Sequence, residues 1–143
     1  MHQIYRITIP GEPVPLARPR LTRDGRCYST QTKIKWDTIK TFYETNPAWT
    51  ALEALQSPLQ VDLAFYMSIP KSYSQRKKKA LVEDYGSSSS YHCTRPDVDN
   101  NIKFYFDILN GIVWEDDKQI FKVTAEKRYA FIPRTEIVVI SHA

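Results

Sequence analysis

The chain has 143 residues, and its 42% hydrophobic and 13% aromatic content excludes a fully disordered protein. This length is typical of one domain, so we expect residues 1–143 to form a single unit. No apolar run approaches the roughly 20 residues of a membrane-spanning helix. The N-terminus also lacks the charged-then-apolar layout of a signal peptide. These features predict a soluble protein that stays inside the cell.

The formal net charge of +4 hides a strong segregation of charge along the chain. Residues 1–40 carry eight basic and three acidic side chains, and a second basic cluster over Lys71–Lys79 contains no acid. Between Asp97 and Asp117 six carboxylates accompany a single lysine. Carboxylates repel phosphate, so this combination favours a protein that binds nucleic acid and holds a divalent cation among its acids. The simpler alternative is that the basic runs are solvated surface.

The first part of the chain shows a strand, a loop and a helix. Residues 4–9 alternate between apolar and polar side chains, which predicts a strand. Residues 11–29 combine prolines with arginines and indicate an exposed, irregular loop. Apolar residues at helical spacing predict a helix over residues 30–43, with Trp36 and Phe42 in the core.

The second part of the chain begins with a strand over Leu59–Ile69, a lysine-rich helix over 72–83 and a flexible, serine-rich connection over 86–90. A helix over Asp99–Asn110 follows, with Gly111 as its C-terminal cap. A short extended piece, a polar turn and two strands complete the chain: residues 112–114, 115–117, 119–129 and 135–141. This order predicts an α+β fold, a single-domain two-layer sandwich in which a mostly antiparallel or mixed sheet packs against helices.

The acidic segment contains the candidate site. Pro96 favours extended backbone before it, and if that geometry persists, Asp97 and Asp99 leave the same side of the chain. Asp99 is a good helix N-cap, and Lys103 lies one turn later on the same helix face. The turn at Asp116–Asp117 can contribute a third carboxylate, because the chain after a short helix returns towards its start.

Three clustered carboxylates suit Mg²⁺, which prefers oxygen ligands and often binds together with substrate phosphate. Such an ion can polarise a phosphodiester for in-line attack, while Lys103 stabilises the developing charge or positions the attacking water. The alternative is that Asp99 and Lys103 form only a helix cap and a surface ion pair. The short DxD pattern does not by itself distinguish these interpretations.

Longer motifs surround this pattern. The segment Arg95–Gln119 contains an RPD-x-DN opening, a lysine four residues after the second aspartate, an FD-x-L-NG helix end and a W-x-DD-x-Q turn. This signature closely resembles that of the RusA family of Holliday-junction resolvases, many of which are encoded by phages. The strand that ends at Pro10, the Arg18–Arg20 loop and the Ile69–Lys71 segment also resemble that family, in the same order along the chain.

The resemblance implies a homodimeric, Mg²⁺-dependent endonuclease, with Mn²⁺ as an alternative ion, that nicks four-way DNA junctions symmetrically in recombination and repair. It implies that three acids hold the metal and that a lysine is also required for catalysis: Asp97, Asp99, Asp117 and Lys103. It further implies the cytoplasm of a bacterium or of a phage-infected host cell. An insertion at Asp84–Tyr91 departs from the compact members of the family and concerns loop contacts rather than the catalytic set.

Several other residues have expected roles near this site. Five basic residues are expected to contact DNA phosphate, with a solvated surface as the alternative for each: Arg18, Arg20, Arg23, Lys77 and Lys78. We expect Asp107 to hold Lys103 in place, His92 to be structural and Trp114 to pack beneath the site.

Two further functions stay open on the sequence alone. One is a nuclease that cuts flaps, forks or other branched DNA, and the other is a junction-binding protein without cleavage. The presence of all three acids and of Lys103 argues against the second. A four-way junction is nearly two-fold symmetric, so two matched nicks require two equivalent active sites and predict a two-fold dimer.

Overall fold

A computed structural model describes residues 2–83 and 90–143 of the chain. Residues 86–89 of the predicted serine-rich connection lie outside the described residues, as does most of the insertion over 84–91. In the two described ranges, no helix is long and apolar enough to cross a membrane.

Six strands, three α-helices and two short 3₁₀ helices are present in the described residues. The strands are β1 (His2–Pro10), β2 (Arg20–Leu21), β3 (Cys27–Tyr28), β4 (Leu59–Ser68), β5 (Ile120–Ala130) and β6 (Arg134–His142). The α-helices are α1 (Thr32–Thr45), α2 (Gln75–Glu83) and α3 (Val98–Leu109). Short 3₁₀ helices cover Pro47–Thr50 and Asp117–Gln119.

Four strands form one mixed sheet in the order β1, β6, β4, β5. The pairs β1–β6 and β6–β4 are antiparallel, whereas β4 and β5 are parallel. Parallel neighbours require a crossover connection, and here residues 69–119 provide it. The predicted α+β fold with a mixed sheet is therefore confirmed, and the whole acidic segment lies in this crossover.

The core lies between the sheet and the helices. Alternate side chains of β4 are buried, as expected for a strand with one face on the core: Leu59, Val61, Leu63, Phe65 and Met67. Helix α3 buries four apolar side chains against them: Phe104, Tyr105, Ile108 and Leu109. The rings of Phe65 and Tyr105 are 5.7 Å apart, and Phe42 of α1 joins the same cluster.

Two predictions near α3 are wrong in detail. The helix begins at Val98, so Asp97 occupies the N-cap position and Asp99 lies in the first turn. The extended backbone thus ends one residue earlier than the sequence predicts. After α3, residues 112 and 113 form a turn rather than an extended piece, because Gly111 adopts a φ of 80° that reverses the chain.

Two predictions for the N-terminal part also need correction. The predicted loop over 11–29 contains the small hairpin of β2 and β3, which is too short to leave a periodic signal. Trp36 is 67% exposed rather than part of the core. It is on the same helical stripe as Ile39 and Tyr43, but periodicity gives only the direction of a side chain and not whether a partner lies opposite.

Candidate active site

The first turns of α3 carry two of the predicted acids and the predicted lysine. Asp97 is exposed at the N-cap position, and its side chain makes no capping hydrogen bond. Asp99 follows in the first turn, and its Oδ2 lies 3.7 Å from Nζ of Lys103, with both side chains more than half exposed. This ion pair therefore has the i, i+4 spacing of helix neighbours and remains accessible to solvent.

The third predicted acid, Asp117, lines a cleft of about 390 Å³ together with Lys103. Phe106 and Asp107 of α3 also line this cleft. Asp117 thus returns to the middle of α3 rather than to its first residue. Lys103 is the residue that connects Asp117 in the cleft with Asp99 at the start of the helix.

The return of the chain to α3 depends on side chains around the turn. Nε1 of Trp114 donates to Oδ1 of Asn110 at 2.7 Å, and the backbone N–H of Gly111 donates to the Trp114 carbonyl. Trp114 is fully buried and packs edge-on against Phe106, with ring centroids 5.4 Å apart. Because Phe106 lines the cleft, Trp114 packs beneath the site, as the sequence predicts.

The neighbouring acids Asp116 and Asp117 have different environments. Asp116 accepts a hydrogen bond from the Lys118 backbone N–H, which lowers the pKa of its carboxyl group. It also forms a capping box with Gln119, whose amide donates to the carbonyls of Leu55 and Ser57 at 2.9 and 2.8 Å. Asp116 therefore anchors the turn.

For Asp117, partial desolvation raises the pKa of the carboxyl group, and the hydrogen bond and negative charge of Asp116 raise it further. The negative charge of Asp107 acts in the same direction. Like charges this close favour the binding of a cation, since a cation would relieve their repulsion. Both carboxyl groups are exposed, but of the two only Asp117 lines the cleft.

An arm that carries three of the predicted DNA-contacting arginines also borders the cleft. Leu16, Ala17 and Pro19 contribute to its lining, and the Leu16 backbone N–H donates to the Asn100 carbonyl of α3 at 2.8 Å. Gln31 fixes the backbone of the arm with two hydrogen bonds. Its Oε1 accepts from the Ala17 N–H, and its Nε2 donates to the Pro15 carbonyl. The predicted DNA-contacting residues of the arm are all exposed, on or beside the β2–β3 hairpin: Arg18, Arg20 and Arg23.

Other predicted residues lie elsewhere. Asp107 does not bind Lys103 as expected, because its Oδ2 is only 2.6 Å from Nζ of Lys35 on α1. Lys77 and Lys78 lie on α2, which does not contribute to the lining of the cleft. Nζ of Lys77 instead lies 3.7 Å above the ring of Tyr73.

Sequence reasoning missed Lys127 of β5, which holds the segment that leads into α3. Its Nζ donates to the carbonyls of Thr94 and Pro96 at 2.7 and 2.5 Å. These bonds fix the backbone immediately before Asp97. No local motif marks Lys127, because the contact joins residues more than thirty positions apart.

His92 lies on the same segment and is structural, as expected. Its ring is buried and packs against Tyr129 with centroids 5.0 Å apart, and Nε2 lies 3.2 Å from the Thr94 hydroxyl. Burial lowers the pKa of His92, and the positive charge of Lys127 lowers it further. The imidazole is therefore held in its neutral form.

Within residues 2–83 and 90–143, no three His, Cys, Asp or Glu side chains are close enough together to hold a metal ion as a ready-made cage. The donors that are present are nevertheless hard carboxylate oxygens. Mg²⁺ often binds through only one or two such carboxylates, with water and substrate phosphate completing its shell. The chemistry of Asp97, Asp99 and Asp117 fits that mode of binding.

Fold, cleft and sequence together define an α+β protein in which a cleft lined by two lysines and two aspartates lies beside an arginine-bearing arm. Residues 10–140 match the family described as Endodeoxyribonuclease RusA. The chain therefore belongs to the RusA family of endodeoxyribonucleases. It is also 32% identical over 143 residues to the uncharacterized protein YqaN of Bacillus subtilis (strain 168), a match that covers 94% of each chain.

Replacing Lys127 with Met should destabilise the segment before α3. The variant keeps most of the side-chain length but leaves two carbonyls without their charged donor, so we expect a loss of about 1–3 kcal/mol in the free energy of unfolding. Urea denaturation measures this loss, with Lys122→Met on the same strand as the matched control. An equal loss in both variants would contradict the role of Lys127.

Replacing His92 with Phe should flatten the pH dependence of stability. Below the ordinary pKa of 6.5, the unfolded chain takes up a proton that the folded chain does not, so wild type loses up to about 1.4 kcal/mol per pH unit as the pH falls. The variant keeps the ring contact with Tyr129 but does not titrate. Urea denaturation between about pH 7.5 and 5.5 tests this, with His2→Phe as the control, and an unchanged slope would contradict it.

Proposed function

We propose that this protein is a Mg²⁺-dependent endonuclease that resolves four-way DNA junctions by paired phosphodiester hydrolysis. The observation that supports this most directly is one cleft that is lined both by Lys103 and Asp117 and by apolar residues of the arm that carries the arginines. The arm attracts phosphate, whereas the acids repel it. The two groups are compatible in one cleft if a cation lies between the acids and the phosphate.

The carboxylates that would hold the metal belong to the set Asp97, Asp99 and Asp117, with water and substrate phosphate completing the shell of the ion. When bound, Mg²⁺ would polarise the scissile phosphate and neutralise part of its charge. Desolvation is the main cause of the raised pKa of Asp117, and the negative charges of Asp116 and Asp107 add to it; those two charges would also attract a divalent cation. Mn²⁺ has the same charge and also suits carboxylate ligands, so we expect it to substitute.

Lys103 would act on the reacting phosphate itself. Its ammonium group lies 3.7 Å from Asp99 and is more than half exposed, so it can leave this ion pair for a phosphate oxygen. There it would stabilise the negative charge that develops as water attacks phosphorus and the P–O bond to the next nucleotide breaks. Asp99 would orient the lysine before the substrate arrives.

The basic side chains would hold the arms of the junction. Arg18, Arg20 and Arg23 are next to the cleft on the arm, whereas Lys77 and Lys78 on α2 would contact DNA farther from the scissile bond. These contacts are to phosphate and position the substrate without reading its sequence. Such a protein would work in the cytoplasm, on the DNA of a bacterium or of an infecting phage.

We expect the working enzyme to be a homodimer, since each chain offers one cleft and a symmetric junction needs two matched nicks. Light scattering should give a mass of about twice 16.7 kDa for the purified protein. A monomer at assay concentrations would contradict paired cleavage by a preformed dimer.

A cleavage assay tests the proposed activity. It compares a labelled four-way junction with a linear duplex of the same sequence. Wild type should nick only the junction, in symmetric pairs, with Mg²⁺ or Mn²⁺ but not with chelator. Asp99→Asn and Asp117→Asn should each lower cleavage by at least about 100-fold, since even the outer-shell partners of metal ligands contribute about 10–100-fold. Glu115→Gln, an exposed acid of the same turn, is the matched control and should cleave normally.

The same experiment separates the alternatives. Binding to the junction without cleavage under every condition would mean that the acidic site is structural and that the protein only holds junctions. Cleavage of flaps and forks as fast as four-way junctions would indicate a broader nuclease for branched DNA. Cleavage that continues in chelator would exclude the metal mechanism.

A further inference from the structure

Trp36 is exposed in a way that the two other tryptophans of the chain are not. Trp49 is 6% exposed and Trp114 is fully buried, whereas Trp36 is 67% exposed on α1. A single exposed apolar side chain is ordinary on a protein surface, so exposure alone carries no function. The residues around Trp36 therefore determine whether its exposure indicates a binding site.

Trp36 lines a groove of about 500 Å³ between α1 and the turn that follows α3. Ile39, Tyr43 and Ile112 contribute apolar walls, while Thr32 and Asn110 add polar side chains to the lining. An aromatic face with apolar walls and polar groups nearby suits a flat, partly polar ring, because the ring can stack while its edge forms hydrogen bonds.

This groove is continuous with the proposed catalytic cleft. Both spaces are lined by Ser29, Lys35 and Asp107, and the Lys35–Asp107 ion pair, at 2.6 Å, lies where they meet. A DNA strand with a phosphate in the cleft would therefore have a neighbouring nucleotide within reach of the groove. Residues 1–40, which include α1 up to Lys40, also carry the excess of positive charge that attracts such a strand.

We propose that Trp36 stacks on one unpaired nucleobase of the junction strand, next to the phosphate that is cut. The inference rests on the proposed function, since it takes branched DNA as the substrate. A base at a branch point is already weakly stacked, so moving it into the groove costs less than in continuous duplex. Trp36 is then a base-binding residue that selects the branched position for cleavage.

Two variants of Trp36 test the stacking. Base–aromatic stacking is strong enough that Trp36→Ala should bind the junction about tenfold more weakly and cut it correspondingly slower at low substrate concentration. Trp36→Phe keeps a stacking face and should stay within about threefold of wild type. Phe131→Ala is the matched control, because Phe131 is 55% exposed but lines a separate cavity, and it should behave as wild type.

A substrate change makes the test specific for a base. The modified junction has an abasic nucleotide next to the cut. Wild type should bind this junction about tenfold more weakly than the unmodified one, whereas the affinity of Trp36→Ala should change little between the two junctions. Junction binding should also quench the tryptophan fluorescence of wild type but not of Trp36→Phe, in which only the buried tryptophans emit.

The outcomes separate this inference from the proposed function. Equal binding by wild type and Trp36→Ala, with cleavage still lost in Asp99→Asn, would overturn the base site and leave the nuclease intact. Junction binding that depends on Trp36 without any cleavage would support the base site and contradict the nuclease. A change from dimer to monomer in Trp36→Ala, seen by light scattering, would show that this surface contacts a second copy and would overturn the inference.

Discussion

The parallel pairing of β4 and β5 is the constraint on which the proposed site depends. Two parallel neighbours cannot be joined by a tight turn, so the chain must leave the end of β4 and return to the start of β5. The crossover over residues 69–119 contains α3 and all of the predicted metal ligands. Strand β5 then fixes both ends of the acidic segment. Lys127 holds the backbone before Asp97, and the turn with Asp117 runs directly into Ile120.

The residues of the long signature divide into those that build the site and those that are exposed in it. Asn110, Gly111 and Trp114 reverse the chain after α3, while Asp116 and Gln119 anchor the next turn. The remaining polar members stay accessible on the surface: Asp97, Asp99, Lys103 and Asp117. The pKa shifts of the two adjacent aspartates express the same division. Asp116 uses its charge within the turn, whereas Asp117 is held close to like charges, an arrangement that stability alone does not favour.

Much of the fold could be predicted from the sequence because its main signals are local. Alternation of apolar and polar residues predicted β4 and β6, and apolar residues at helical spacing predicted α3 to within one residue at each end. The features that could not be predicted depend on which elements meet in space. Lys35 and Asp107 are 72 positions apart, and only packing of α1 on α3 joins them.

The exposure of Trp36 was missed for the same kind of reason. A helical stripe predicts that a side chain points inwards, but the length of the opposing layer decides whether it is covered. The catalytic roles assigned to Asp97, Asp99, Lys103 and Asp117 remain proposals that follow from the family pattern and from their accessibility. Geometry supports the Asp99–Lys103 ion pair and the cleft that Lys103 shares with Asp117.

The hydrogen bond between the basic arm and α3 would keep the proposed DNA contacts aligned with the proposed reacting groups. The backbone of Leu16 bonds Asn100, between Asp99 and Lys103 along the helix, and Gln31 ties the same arm to the start of α1. The segment that leads into the arginines is therefore attached to the helix that carries Asp99 and Lys103. Positive charges that are spread over a solvated surface are screened by salt within about 10 Å. A protein with only such charges would bind DNA in many registers. In the proposed mechanism, an arm attached to α3 would instead bring one phosphate to one place, because the phosphate contacts and the reacting groups would share the same backbone.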